Sequence, residues 1–228
     1  ILGSNLGPEL RVVGNPRYDL VMNEATEFRQ NDVEKLNDRD MRIIIGSVHK
    51  EEEDYLVPAL VQLMNENPDL KVLYALHEPT DSALREIKKK FHHHGIVGAV
   101  FRKKTDLKLP NNPLVILGVV GVLSRLYWQG QIAYVGGGHS TGVHNVMEPA
   151  VARLPVIFGP RYHNSHEAEE LINNNGGFCV KDGQEFLSII KNLISDSKYH
   201  KMTSLSASDV VYKNVGSTRE IVQQIFCD

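Results

Sequence analysis

The feature that most constrains this sequence is a series of short, uninterrupted runs of Val, Ile and Leu, with longer amphipathic stretches between them. Six runs have this character: 41–47 (MRIIIGS), 70–76 (LKVLYAL), 96–101 (IVGAVF), 113–117 (PLVIL), 131–135 (QIAYV) and 154–159 (LPVIFG). Continuous apolar runs are typical of strands that are buried on both faces. We therefore predict β-strands at all six runs, in a sheet that is covered on both sides.

The stretches between these runs carry apolar residues at helical spacing. In 51–68, Leu56, Leu60 and Leu63 follow three acidic residues, which suit the positive end of a helix dipole. Further helices are predicted at 81–94, 165–174, 183–195, 197–212 and 216–226. Strands alternating with helices indicate right-handed βαβ units. We therefore predict an α/β protein, a single Rossmann-like domain with a parallel sheet, after a polar and less regular lead-in over 1–40.

Composition narrows the class of protein. The 228 residues are 42% hydrophobic, enough for a substantial core, and the formal net charge of -3 gives no basic surface for nucleic acid. The longest apolar run, 113–123, is too short to span a bilayer, so we expect this chain to be soluble. We predict that Cys179 and Cys227 are buried free thiols in a reducing compartment. Because the chain begins with Ile1, we expect it to be a piece of a longer protein.

Four turns that carry polar groups follow predicted strands. They are 46–49 (GSVH), 76–80 (LHEPT), 136–149 (GGGHSTGVHNVMEP) and 159–167 (GPRYHNSHE). In open α/β sheets, ligands bind beyond the carboxyl ends of the strands. The ligand site is therefore expected among these turns.

The glycine-rich turn is the most informative of the four. Its consecutive glycines, Gly136, Gly137 and Gly138, let the backbone turn tightly and approach a ligand, although tight packing alone is the alternative explanation. A helix predicted to begin near Gly142 or Val143 would direct free N–H groups at a phosphate. Asn145 and Glu148 are three residues apart and would share one face of that helix, where the carboxylate can accept both hydroxyls of a ribose.

The histidines predict no metal site. The run 92–94 is expected at a solvated helix C-terminus, because successive helical residues do not converge on one ion. The histidines expected near the crevice are His139, His144, His163 and His166. None has the spacing of a zinc motif. Ser47 and Ser140 lie outside the GxSxG context of a nucleophilic serine.

Four stretches in order along the chain carry a family resemblance: GNPRYD (14–19), GSVHKEEE (46–53), YVGGGHSTGVHNVMEPAVARLPVIFGPRYHNSHEAEEL (134–171) and NVGSTREI (214–221). With them, the chain from about residue 10 onward resembles the C-terminal half of the 3-deoxy-D-manno-octulosonate (Kdo) transferases of lipid A assembly. The Asn-x-x-Glu-Pro part alone is shared by many GT-B glycosyltransferases.

The resemblance implies one half of a GT-B fold, with residues 1–228 as the domain that binds the nucleotide-sugar donor, CMP-Kdo. It implies that the acceptor site for a lipid A precursor, the general base and often a membrane anchor lie in an N-terminal domain absent from this chain. It implies an inverting reaction without metal or cofactor. The full-length protein would then lie at the cytoplasmic face of the bacterial inner membrane.

The resemblance also assigns donor-binding residues. The three glycines and Gly142 would hold the CMP phosphate, and Glu148, paired with Asn145, would lie near the ribose. Ser47 and His49 match the turn after the first strong strand, and His144 precedes Asn145 as in the family. His77 would lie near the phosphate or the sugar carboxylate, where Arg161 is a further candidate for positive charge. No catalytic residue is expected in this chain.

Three functions stay open at this point. The chain is a transferase donor domain, a nucleotide-sugar binding module that has lost transfer, or part of another enzyme of this fold, such as a nucleotide-sugar epimerase or hydrolase. Gly118 and Val119 stand where the family often has a polar pair. That departure favours the second function over an intact transferase.

Overall fold

A computed structural model describes residues 12–32 and 39–226. Its strands are β1 (Arg42–Val48), β2 (Lys71–Leu76), β3 (Gly98–Phe101), β4 (Leu114–Leu117), β5 (Ile132–Val135), β6 (Val156–Phe158) and β7 (Gly177–Cys179). All pairs are parallel, and the strands lie in the order β3-β4-β2-β1-β5-β6-β7. The predicted parallel sheet and its six predicted strands are confirmed.

Helices connect the strands. They are α1 (Arg17–Asp32), α2 (Lys50–Glu66), α3 (Asp81–His93), α4 (Leu123–Leu126), α5 (Met147–Val151), α6 (His166–Asn173), α7 (Gly183–Ser195), α8 (Ser197–Lys213) and α9 (Ser217–Phe226). Among the helices that the structure describes, none is both long and apolar enough to cross a membrane.

The sheet is buried on both faces. Ile43, Ile44 and Ile45 are all 0% exposed, although successive side chains of a strand point to opposite faces. Ile43 and Ile45 pack in a core that includes buried residues of α2, α3 and α7, whereas Ile44 packs in a second core with α1, α5 and α8. Each such burial stabilises the fold by about 2 kcal/mol. This double burial explains why the strands read as continuous apolar runs.

The lead-in predicted over 1–40 is wrong for 17–32, which form α1. Tyr18, Val21 and Ala25 are buried against the sheet because the chain places apolar residues at helical spacing there. Arg17 and Glu24 on the same helix are exposed, and the number of charged residues in the segment hid this spacing. Cys179 is a free thiol but only half-buried, because β7 is the last strand of the sheet. Cys227 lies outside the described residues.

The strand order creates a crevice beside β1. From β1 the chain passes to β2 on one side, and β5 later pairs with β1 on the other side. The connections that leave these two strands therefore diverge, which opens a space beyond their carboxyl ends. Ser47, His49, His77 and the turn after β5 all lie at this edge.

Candidate nucleotide-sugar site

The end of β1 determines the shape of the crevice. The register between β1 and β2 shifts between Ile45 and Val48, and Ser47 has a positive φ of 55°. This turns the carbonyl of Ser47 toward Gly136, where an added Cβ would lie 2.2 Å from that oxygen. Position 136 therefore tolerates only glycine next to β1.

The other predicted glycines also lie against the protein itself. A Cβ at Gly138 would meet the backbone of Gly159 at 2.5 Å, and one at Gly137 would meet the carbonyl oxygen of Gly142 at 2.3 Å. The N–H groups of Gly136, Gly137 and Gly142 donate to the Gly46 carbonyl, the Glu52 carboxylate and the Gly137 carbonyl. These three N–H groups are therefore already satisfied within the chain, and close packing accounts for the glycines.

The helix predicted to begin near Gly142 or Val143 begins instead at Met147, and that prediction is wrong. Residues 142–146 continue the loop, because Gly142 has a φ of +115° and Val143 N–H donates to the Arg161 carbonyl. The helix that follows, α5, has only five residues and contains Pro149. The predicted phosphate site at a helix N-terminus is therefore not formed by this segment.

Asn145 and Glu148 do meet, although not on one helix face as predicted. Asn145 precedes α5, where its Oδ1 accepts a hydrogen bond from the Met147 N–H at 3.0 Å. Its Nδ2 donates to Oε1 of Glu148 at 2.9 Å. Burial raises the pKa of Glu148 above its ordinary value, and the hydrogen bond from Asn145 only partly opposes this.

Glu148 and Asn145 face a cavity of about 290 Å³ beside β1. The cavity is lined by Ser47, Gly121, Leu123, Ser124, Tyr127, Val135, His144, Asn145 and Glu148. Glu148 also reaches a second cavity of about 410 Å³ between α1 and α4, which Phe28 and Trp128 line. No described residue donates a hydrogen bond to Oε2 of Glu148, so this oxygen is available to a ligand hydroxyl.

A buried carboxylate that the sequence did not single out holds the crevice together. Glu52, in the first turn of α2, is 0% exposed. Its Oε2 accepts from the N–H groups of His49 and Gly137, and its Oε1 accepts from the Tyr134 hydroxyl at 2.8 Å. Burial by itself raises the pKa of Glu52, but the nearby His139, whose Nδ1 lies 3.7 Å from Oε1, and these hydrogen bonds outweigh it and lower the pKa. Glu52 thereby joins α2 to the glycine turn.

Three histidines from separate strands also meet here. His49, His77 and His144 follow β1, β2 and β5, and each offers a ring nitrogen within 4.8 Å of the others. The Nε2 atoms of His49 and His144 lie 2.8 Å apart, and the ring centroids 5.1 Å apart at an interplanar angle of 15°. The centroid distance exceeds the Nε2 distance by about two ring radii, so these rings meet edge to edge rather than face to face.

His77 completes this histidine cluster. Its ring centroid lies 4.4 Å from that of His49 and 4.6 Å from that of His144, so it stacks over both. Burial, followed by the charges of His77 and His49, lowers the pKa of His144. The sequence predicted no metal site because it could show only spacing along the chain, whereas this cluster is formed by parallel pairing of the strands.

The other predicted groups lie around the crevice or away from it. His139 contacts the Tyr55 hydroxyl through Nδ1 at 3.0 Å, and the nearby carboxylate of Glu52, 3.7 Å from the same nitrogen, raises the pKa of His139. Arg161 donates to the Ser140 carbonyl and so supports the glycine turn. His163 and His166 are exposed beside Glu169 and Glu170 rather than in the cavity. The run 92–94 ends α3 in solvent, as predicted.

The parallel sheet and the crevice at its carboxyl edge define the class of fold, a Rossmann-like α/β domain. The fold is similar to the C-terminal CMP-Kdo binding domain of WaaA from Acinetobacter baumannii, with a TM-score of 0.65, 22% identity and coverage of 85% of this chain and 98% of that one. It is also similar to UDP-GlcNAc 2-epimerase from Neisseria meningitidis, with a TM-score of 0.64, 14% identity and coverage of 95% and 54%.

Three proteins of similar sequence share a single name, unlike the two proteins of similar structure. The chain is 29% identical over 195 residues to the 3-deoxy-D-manno-octulosonic acid transferase of Chlamydia trachomatis serovar A, which covers 83% of this chain and 44% of the relative. It is 28% identical over 166 residues to that of Aquifex aeolicus, which covers 72% and 45%. It is 25% identical over 194 residues to that of Rickettsia prowazekii, which covers 83% and 41%.

These relatives confirm the resemblance to the Kdo transferases. No protein-family model matches the chain. The chain spans less than half the length of the curated relatives it matches, between 41% and 45% in these three cases.

Proposed function

We propose that this chain is the donor-binding domain of an inverting glycosyltransferase that moves Kdo from CMP-Kdo to a lipid A precursor. The observation that carries the proposal is the cavity at the carboxyl edge of β1 and β5, which Ser47, His144, Asn145 and Glu148 line. It lies where nucleotides bind in this class of fold. The sequence relatives supply the identity of the sugar.

The cavity suits a ribose at Glu148. Glu148 lines the cavity, its Oε1 accepts from Asn145, and no described residue donates a hydrogen bond to its Oε2. A ribose hydroxyl can donate to this oxygen in a charge-assisted hydrogen bond, which contributes roughly 1.5 to 3 kcal/mol. The glycine turn, Gly142 and Ser47 then form the wall beside the nucleotide. His49, His77 and Arg161 supply the positive charge or hydrogen-bond donors near the phosphate or the sugar carboxylate.

The rest of the reaction belongs to other parts of the proposed protein. We infer that the general base, the lipid acceptor site and the attachment to the cytoplasmic face of the inner membrane lie outside these 228 residues. The purified chain should therefore bind CMP and form no product from CMP-Kdo and a lipid A precursor. Product formed by the chain alone would overturn this assignment.

Calorimetric titration with CMP and with UDP, both in EDTA, tests the proposed donor. We expect CMP to bind at least tenfold more tightly than UDP, and EDTA to leave CMP binding unchanged. Tighter binding of UDP would favour the epimerase type of enzyme that shares the fold. Absence of binding by both nucleotides would overturn the proposal.

A further inference from the structure

We propose that His49, His77 and His144 form a binding site for a divalent transition-metal cation such as Zn²⁺, Co²⁺ or Ni²⁺. The proposal goes beyond the donor-binding function and does not depend on it. The three side chains come from the ends of three strands, β1, β2 and β5, that neighbour one another in the sheet. Imidazole nitrogen is a common ligand for such cations, and three protein ligands with one open position are frequent in zinc sites.

The distance between the ligand nitrogens of His49 and His144 requires only a small adjustment. The Nε2 atoms of His49 and His144 lie 2.8 Å apart and face each other. Two ligands of a tetrahedral ion with bonds of about 2.0 to 2.1 Å lie roughly 3.3 Å apart. A slight rotation of both rings therefore directs their lone pairs at a common point beside the present contact. His77 stacks over both rings, so its ring must turn out of the stack before a nitrogen lone pair points at the ion, and its exposed side chain leaves room for that turn.

The proton balance is simple. Two imidazole nitrogens at this distance share one hydrogen bond, so one of them carries a proton. When a cation binds both Nε2 atoms, the imidazole that carried its proton on Nε2 carries it on Nδ1 instead, because a ligating nitrogen must be deprotonated, so two neutral histidines release no net proton. No oxidant or other reactant is needed.

The charges on the side of the cluster that faces α2 and α3 suit a cation. A cavity of about 480 Å³ beside His49 and His77 is lined by the carboxylates Glu51, Glu53, Glu78 and Glu86. Opposing them are Lys50, which pairs with Glu86 at 3.5 Å, and Lys90, which pairs with Glu53 at 2.9 Å. The positive end of α2 is itself neutralised by the buried carboxylate of Glu52, which accepts from the His49 N–H. The net charge on this side of the histidine cluster is therefore negative.

The test uses Co²⁺, whose visible absorption intensifies when imidazole nitrogens bind it in a tetrahedral site. The exposed run 92–94 is first replaced by asparagine, so that it binds no metal itself. In this background we expect one Co²⁺ per chain, displaced by Zn²⁺. His77→Asn should weaken binding at least tenfold. His77 is exposed, so this variant should fold normally.

Two further variants show whether Co²⁺ binding depends on the histidine cluster itself. His144→Asn should weaken Co²⁺ binding as His77→Asn does, whereas His163→Asn, an exposed control paired with Glu169, should leave it unchanged. Absence of the intense spectrum, or Co²⁺ binding by the His77 and His144 variants as tight as that of the background, would overturn the site. Inorganic phosphate that binds the background and is lost in the same variants, without Co²⁺ binding, would assign the cluster to an anion instead. CMP titration in EDTA reports on the donor function separately.

Discussion

Glu52 and Glu148 lie at the same edge of the sheet, on either side of the glycine turn, and their surroundings affect them in opposite ways. Glu52 is fully buried and accepts hydrogen bonds from three donors, and its pKa is lowered. Glu148 is half-buried with one donor, Asn145, and its pKa is raised. The comparison shows that hydrogen-bond donors, rather than burial, decide the direction in which the pKa of each carboxyl moves.

The largest expected effect is on folding, from Glu52→Gln. An amide NH₂ in place of one oxygen would face N–H donors, which leaves buried polar groups unpaired at roughly 1 to 3 kcal/mol each. We expect the free energy of unfolding, measured by urea denaturation, to fall by about 3 kcal/mol. Glu51→Gln, the exposed neighbour on the same helix, is the matched control and should have little effect. Equal stability of both variants would contradict the structural role of Glu52.

A smaller effect is expected on binding, from Glu148→Gln. The variant keeps the contact with Asn145 and replaces the carboxylate by a neutral group, so CMP affinity should fall about tenfold, or about 1.4 kcal/mol. The free energy of unfolding should be unchanged or slightly higher, since the cost of burying the charge is removed. Glu66→Gln, at the far end of α2, serves as the control for affinity. A lower melting temperature with normal CMP affinity would instead make Glu148 structural.

An exposed carboxylate extends the comparison to the surface. Asp19 on α1 accepts hydrogen bonds from the N–H groups of Gly216 and Thr218 at the start of α9, which lower its pKa. Asp19→Asn keeps only one of the two accepting oxygens and should reduce the free energy of unfolding by about 1 kcal/mol, as for loss of one hydrogen bond. Because its pKa is lowered, this contribution is present above the ordinary pKa of 3.8 and is lost as the pH falls through the folded value. Asp209→Asn on α8 should show neither effect.

The smallest effect concerns pH and Glu148 alone. Since its folded pKa is raised, its contribution to stability is fully present below the ordinary value of 4.5 and is lost as the pH rises through the folded pKa. The unfolding free energy of the wild type minus that of Glu148→Gln should therefore decline over that window. Urea denaturation of both proteins at successive pH values measures it. A difference that grows with pH would show that the ionised form is the one stabilised in the folded protein.

Much of the fold could be predicted from local patterns. Ile43, Ile44 and Ile45 could be assigned to a strand buried on both faces because continuous apolar residues have few other stable arrangements. The helix α1 was missed because its charged residues masked the spacing of Tyr18, Val21 and Ala25. Close packing of the glycines was one of two explanations that the sequence left open. It is supported by the tertiary positions of Ser47 and Gly159, which the sequence does not show.

By itself, the sequence determined the parallel α/β class, the edge of the sheet at which polar groups gather, and the relationship to the Kdo transferases. These follow from periodicity and from residues that are close along the chain. Only the tertiary structure decided that Glu52 and Glu53, but not Glu51, are buried, and that His49, His77 and His144 lie together. The physical reason is that both depend on strand order, which brings together groups that are far apart in the chain and so leave no shared pattern in it.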